Sequence, residues 1–281
     1  MLPLVTPPAI PCKQLRIIQV LGPAWIQDLG RPSALSLGIP EGGALVPEAL
    51  IRANARLGNF IGAPAIEFFG QLEVETQETL WVATPERRWR LKGRLKLSVS
   101  ERLSYLAVAG GIDVPSVLGG YGTLPASGLG GWKGRALQVG DQLPTGIKPR
   151  RHSYIFQAPV PSGMVRFVPG PDPLPQSTLQ AFIDRSWSIG PADRIGYCLE
   201  GLPLPAPLAA GPSAPMVCGA IQLPPGGLPV VLGPDHPVTG GYPLLGVLAH
   251  VDRGSFFGRP LGAKVRFIAT DVQTARDFLR G

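Results

Sequence analysis

Cysteine and histidine are nearly absent from this 281-residue chain, which holds three of each. Cys12, Cys198 and Cys218 lie far apart, with no Cys-x-x-Cys pair and no histidine at metal-binding spacing. That pattern argues against both a zinc site and a disulfide framework, so no metal cofactor is expected. Long apolar runs are also missing. No stretch of ~20 apolar residues is available to span a bilayer. The proline-broken start, Met1 to Cys12, has no basic segment ahead of an uninterrupted apolar core and does not read as a secretory signal. A cytoplasmic protein with no membrane partner is the expectation. The net charge is +7, yet no nucleic-acid motif accompanies it and the basic residues are scattered. The densest run, Arg87 to Lys96 with Trp89 inside it, reads as a solvated strand face. No nucleic-acid partner is therefore expected.

What the chain has in excess is glycine (37) and proline (33). An apolar fraction of 44% supplies enough burial to offset chain entropy, so these residues read as turns between many short strands rather than as disorder. The length suits two domains or one large β architecture. The expected organisation is a flexible leader over 1–14, an N-terminal β lobe over 15–150 and a C-terminal β lobe over 151–281. Leu15 to Val20 reads as the first strand, and Gly22 to Gly43 as a loop. A helix is predicted from about Pro47 to Leu57, with Pro47 at its first position, a Glu48/Arg52 pair and Gly58-Asn59 as its stop. Short strands follow at Leu80 to Ala83, Leu95 to Val99 and Tyr105 to Ala109, and Pro144 to Pro161 reads as a linker. In the second half, Val165 to Val168 is a predicted strand, followed by a helix whose Ser177 and Gln180 have capping-box spacing. Further strands are predicted at Ile221 to Leu223, Val230 to Leu232, Leu244 to Val251 and Val265 to Ile268. A closing amphipathic helix over Asp271 to Leu279 turns Val272, Ala275, Phe278 and Leu279 inward.

Candidate chemistry gathers on glycine-rich loops. The segment Asp235 to Pro243 combines Asp235, His236, Thr239, Gly240, Gly241 and Tyr242. Adjacent glycines let a substrate approach the backbone closely, although a plain tight turn has the same composition. Asp193 to Gly201 offers Arg194, whose planar fork suits a carboxylate or phosphoryl ligand as readily as a structural aspartate. Gly110 to Pro115 and Leu129 to Arg135 form another such group, with Asp113, Lys133 and Arg135 as polar members. Neither a Walker phosphate loop nor a dinucleotide fingerprint is present. Of His152, His236 and His250, only His236 lies in a motif, and no Gly-x-Ser-x-Gly elbow supports a serine triad.

In order along the chain come Gln27-Asp28-x-Gly-Arg31, Ala53-Asn54 with Gly58-Asn59, Tyr105 to Pro115, Gly134-Arg135 with Gly140-Asp141, Asp193 to Gly201, Gly219-x-Ile-Gln222 and Gly240 to Pro243. Together these resemble the biotin-dependent carboxyltransferase family. That family includes the C subunit of bacterial 5-oxoprolinase, the second subunit of allophanate-hydrolase-like proteins, the antagonist of a sporulation kinase inhibitor, and the carboxyltransferase part of urea amidolyase. The resemblance implies a mainly β fold of two cyclophilin-like β-barrel lobes with a few short helices. It also implies a B-type partner subunit and an A-type subunit, and a small cyclic amide or urea-like substrate. ATP would act through the complex, and any biotin would arrive on another chain.

Transferred to this sequence, the resemblance puts Arg194, Asp235, His236 and Tyr242 in the catalytic set. Asp28, Arg31, Asn54, Arg135, Gln222, Thr239, Gly240 and Gly241 fall in the substrate-binding set. In the expected scheme Arg194 holds a carboxylate or phosphoryl oxygen, the Gly240 and Gly241 amides polarise a carbonyl, and Asp235 or His236 is the acid-base group. The chain also departs from the family, carrying Gly42, Val46, Tyr121, Pro237 and Gly258 where the family has polar residues. Two expectations follow: a catalytic C-type subunit that opens 5-oxoproline, or a binding or regulatory subunit that keeps the scaffold and engages the B-type partner.

Overall fold

The computed structural model describes residues 13–99, 102–146, 164–205 and 211–278. The first group of strands comprises β1 (Gln14–Leu21), β2 (Ala24–Gln27), β3 (Ala65–Phe68), β4 (Gln71–Ala83), β5 (Arg88–Ser98), β6 (Ser104–Val108) and β7 (Gln142–Pro144), with helix α1 (Pro47–Ala55) between β2 and β3. They form one antiparallel sheet in the order β2-β3-β6-β4-β1-β7, with β5 paired to β4. Strict alternation decides which side is filled. Ile26, Ile66, Phe68, Leu72, Val74, Leu106 and Val108 point into one apolar core, while Ala65, Glu67, Tyr105 and Ala107 turn to the other face, three of them against α1. The sheet is a half-barrel in which β4 and β5 make one long hairpin.

The second group comprises β8 (Met164–Pro169), α2 (Gln176–Asp184), β9 (Trp187–Ala192), β10 (Gly196–Glu200), β11 (Ala214–Pro215), β12 (Ala220–Gln222), β13 (Val230–Leu232), β14 (Thr239–Gly240), β15 (Leu244–Leu248), α3 (His250–Phe257), β16 (Lys264–Ala269) and α4 (Val272–Asp277). Seven of its strands close a barrel, β10-β13-β12-β15-β8-β16-β9, leaving β11-β14 as a separate ribbon. The interior is aromatic: Phe167, Phe182, Trp187, Tyr197, Phe256, Phe257 and Phe267 are all buried there, and the Phe182 and Phe267 rings stack at 4.7 Å.

Several predicted elements differ. The Gly22 to Gly43 loop contains β2, whose alternation is too short to stand out. The predicted strand Leu244 to Val251 stops at Leu248, and α3 begins at His250. Helix α2 starts from Pro175 with no side-chain cap, so the Ser177/Gln180 capping box does not form. Helix α4 is capped by Asp271 but buries no residue, and its Val272 and Phe278 are about half exposed. Leu279, His152 and most of the predicted leader and linker lie outside the described residues. Among those described, no helix is long and apolar enough to cross a membrane.

The two lobes are pinned together. The loop before α1 drives Leu45 into the second lobe's core, and the Gly42 amide donates to the Pro234 carbonyl at 3.0 Å. Arg102 donates to the Ala192 carbonyl at 3.1 Å and lies 4.4 Å over the Tyr197 ring.

Candidate functional site

At the centre of the lobe junction a buried charge cluster is built from both sequence halves. Arg194 lies in the bend between β9 and β10, and the residue is buried at the junction with 5% exposure. Its Nε and Nη2 donate to the two oxygens of Asp235 at 2.7 and 2.9 Å. Nη1 donates to Glu67 Oε1 at 2.6 Å, and Nη2 also donates to the Gly43 carbonyl at 2.6 Å. The other Glu67 oxygen accepts from the Tyr105 hydroxyl at 2.6 Å and from the Leu45 amide at 2.9 Å. The Val46 amide donates to that same hydroxyl at 3.0 Å. The cluster thereby occupies backbone donors at the entry to α1, where no side chain of the loop provides a cap. Burial alone would depress the Arg194 guanidinium, but the Glu67 and Asp235 carboxylates outweigh it and hold the pKa above the ordinary arginine value. Burial, reinforced by Glu67, raises the Tyr105 phenol well above its usual range.

Beside this cluster a cavity of about 420 Å³ opens between the lobes. Pro23, Trp25, Phe69 and Arg102 line it from the first lobe, and Ala192, Asp193, Arg194, Pro260 and Leu261 from the second. The Trp25 and Phe69 rings meet edge-on with centroids 6.0 Å apart, making an apolar corner. Four of the five Arg194 N–H groups are spent within the protein, leaving one on Nη1. On the glycine-loop side, buried Arg31 donates to the Val117 and Gly122 carbonyls while its Nη1 has no partner. Burial lowers its pKa against the opposing pull of Asp28 and Asp235. Gln27 Oε1 and His236 Nε2 are likewise buried without a partner. His236 Nδ1 lies 2.8 Å from the Pro237 carbonyl; a carbonyl only accepts, so the neutral ring carries its proton there and Nε2 keeps a lone pair.

The predicted site residues divide into three groups. Arg194, Asp235, His236, Arg31 and Asp28 gather at or next to the junction. Asp28 acts there as a loop latch, accepting from the amides of Gly30 at 2.8 Å and Tyr121 at 2.6 Å. Thr239, Gly240, Gly241 and Tyr242 belong to the other end of the Asp235 to Pro243 segment, on and beside the β11-β14 ribbon, and Gln222 at the end of β12 lies against Gly240 there. Thr239 and Tyr242 are exposed. Neither Gly240 nor Gly241 has a positive φ, so their amides do not form the concave nest expected of an anion site. Gly240 has another reason to lack a side chain: a Cβ there would come 2.6 Å from Gln222 Nε2.

Asn54 and Arg135 sit elsewhere as structural brackets. Asn54 donates to the Ala63 carbonyl at 2.8 Å and accepts from Asn59. Arg135 forms a two-pronged pair with Asp141 at 2.7 and 2.8 Å. Burial would raise the Asp141 carboxyl, but its bonds to Arg135 and the Gln138 amide bring it down to about 2. Glu67, Trp25, Phe69 and Arg102 were not predicted. A signal for Glu67 exists in the sequence, because a carboxylate inside the apolar run Ala65-Ile66-Glu67-Phe68 needs a buried cation.

Residues 94–269 match the family model described as carboxyltransferase domain, subdomain A and B. The chain is similar to the C subunit of 5-oxoprolinase from Escherichia coli (strain K12), 34% identical over 292 aligned positions that cover 93% of both chains. Its fold is similar to the crystal structure of TTHA0988, with a TM-score of 0.80 and 25% identity over 93% of this chain and 57% of that one. The Kluyveromyces lactis urea carboxylase structure superposes with a TM-score of 0.82 and 20% identity, covering 97% of this chain and 28% of that one.

Proposed function

The chain belongs to the carboxyltransferase subdomain A and B family, and from that premise we propose that it is the C-type subunit of an ATP-dependent 5-oxoprolinase. The carrying observation is the likeness, over 93% of both chains, to a protein named as the C subunit of 5-oxoprolinase. In this reading the cavity between the lobes takes 5-oxoproline, a five-membered lactam bearing a carboxylate. Trp25 and Phe69 pack against the ring, and Arg102, with two N–H groups on backbone carbonyls, turns its remaining donors to the carboxylate. The spare Arg194 N–H polarises the lactam carbonyl as negative charge develops on its oxygen. Water adds to that carbon, the C–N bond breaks, and the ring nitrogen leaves as the amine of glutamate after taking a proton. His236 is a better proton carrier than Asp235, because both Asp235 oxygens are held by Arg194; His236 is buried and does not line the cavity, so in this reading a water relays the proton between its ring and the lactam nitrogen. ATP is handled by the A- and B-type companions, and a biotin, if used, comes on another chain.

A regulatory reading is favoured by one observation: Arg194, Asp235, Asp28, Asn54 and Arg135 all spend polar groups holding the protein together. The two readings separate in one assay, ATP-dependent release of glutamate by the chain co-expressed with its A- and B-type companions. The catalytic reading expects turnover that falls about 10²-fold in kcat for His236→Asn, with KM little changed. A complex that assembles but turns over neither 5-oxoproline nor urea would favour the regulatory reading.

A further inference from the structure

The β4–β5 hairpin carries a surface that the lobe-junction chemistry does not use. In β5 the residues alternate: Trp89, Leu91, Leu95 and Leu97 face the first-lobe core, and Arg88, Arg90, Lys92, Arg94 and Lys96 all stand exposed on the opposite face. Alternate residues of a strand lie about 7 Å apart on one face. The row is therefore a line of positive charge, broken in direction at Gly93, where φ is +85° and the ladder shifts register, so that Arg88, Arg90 and Lys92 form one stretch and Arg94 and Lys96 another. Its two ends differ. Arg94 is met by Glu75 at 3.0 Å and Glu73 at 3.8 Å across the ladder, and Lys96 lies opposite Glu73. Among the described residues, Arg88, Arg90 and Lys92 meet no carboxylate. Arg90 is instead paired across the ladder with Trp81, which is 47% exposed, and Arg88 lies 5.5 Å over the same indole. In the turn itself, Arg87 lies 5.4 Å over Trp89, and Arg56 donates to the Pro85 carbonyl at 2.7 Å. Within the described sheet β5 pairs with β4 alone.

An edge strand is often made soluble by charge, and one or two lysines suffice for that. A row of uncompensated, mainly arginine cations around a half-exposed tryptophan has the composition of an interface centre instead, where Arg and Trp are enriched and Lys is depleted. We propose that the outer face of the β4–β5 hairpin, centred on Arg88, Arg90, Lys92 and Trp81, docks an acidic extended segment of the B-type companion. Such a segment, with Asp or Glu at every second residue, matches the spacing of the row, and an apolar residue among them covers the Trp81 indole. The inference rests on the reading of this chain as one member of an assembly.

The test measures the affinity of the purified chain for its B-type companion as a function of salt, for wild type, for the triple variant Arg88→Glu/Arg90→Glu/Lys92→Glu, and for Arg94→Gln. Thermal melts of each check the fold. The expected result is a Kd at least 100-fold weaker for the triple variant and within about threefold of wild type for Arg94→Gln, whose charge is already matched by Glu73 and Glu75. Wild-type binding should weaken about tenfold or more between 50 and 500 mM salt. Equal affinity of wild type and a folded triple variant overturns the inference, as does no wild-type complex. So does a wild type that binds poly-uridine or phosphatidylserine vesicles through this row and not the companion. A Trp81→Ala variant, which introduces no charge, serves if the triple variant does not fold, and its unchanged affinity overturns the inference equally. A complex lost in the triple variant but inactive on 5-oxoproline in wild type would leave the docking surface standing while the proposed reaction fails.

Discussion

At the residue scale, Arg194 is the fulcrum of the molecule. It joins Asp235 of its own lobe to Glu67 of the other, and removing one member of such a buried set strands the remaining charges. Arg194→Ala is expected to cost about 3–5 kcal/mol of stability, read from the urea midpoint, and Arg194→Lys should recover only part of it because a single ammonium cannot serve Asp235 as a fork. Arg194 and Asp235 stand out in the sequence as polar residues among glycines, and a structural aspartate partner for Arg194 is as legible there as a ligand, but nothing local names Asp235 as that partner. Asn54 and Arg135 are singled out by motif membership, and in a short motif a residue that folds a loop and one that binds a substrate look alike. Glu48 offers a test by pH. Its carboxyl packs against Gly254 of α3 at the lobe contact, and burial raises its pKa, opposed by a backbone hydrogen bond and Arg52. With the folded pKa above the unfolded one, the folded state binds the proton more tightly, so stability falls as pH rises from the unfolded value through the folded one. Glu48→Gln should therefore raise Tm by about 2–4 °C at pH 8, and the gain should vanish near pH 4.

At the element scale, compact apolar strands are readable whatever their length, and long strands whose pattern is interrupted are not. β8, β12, β13 and β16 carry compact apolar signals, in β8 and β16 alternating with Arg166 and Arg266, and their predicted bounds lie within one residue of the observed ones. β4 and β5 were broken into fragments because Gln77-Glu78-Thr79 and Gly93 interrupt their pattern, where the ladder itself shifts register between Thr76 and Leu80. Helix α3 was hidden by the apolar run that leads into it. What fixes α3 is a long-range pair: Asp252 accepts from the Arg166 guanidinium at 2.6 and 2.8 Å and from the Arg166 amide at 2.8 Å. No local pattern announces such a partner. Asp252→Ala should lower stability by about 2–4 kcal/mol, measured by urea unfolding, because it leaves a partly buried guanidinium and an amide unsatisfied at the start of β8. Asp252→Asn should cost less.

At the scale of the whole molecule, a half-barrel and a closed barrel are joined through a polar cluster and share a cavity with one wall from each. Mainly β architecture and two lobes were legible from glycine, proline and the strand signals. Closure of only the second barrel was not, because closure depends on which strands become neighbours. The cavity was invisible for the same reason: Trp25 and Phe69 are ordinary in sequence and acquire a role only when Arg194 arrives from the other lobe. If this cavity takes the cyclic amide, its aromatic corner must affect substrate binding more than the chemical step. The direct measurement is the steady-state kinetics of ATP-dependent glutamate release by the reconstituted complex carrying Trp25→Ala. A KM for 5-oxoproline raised about tenfold with kcat within about threefold of wild type is the predicted result. An unchanged KM in a folded, assembled variant would contradict the account.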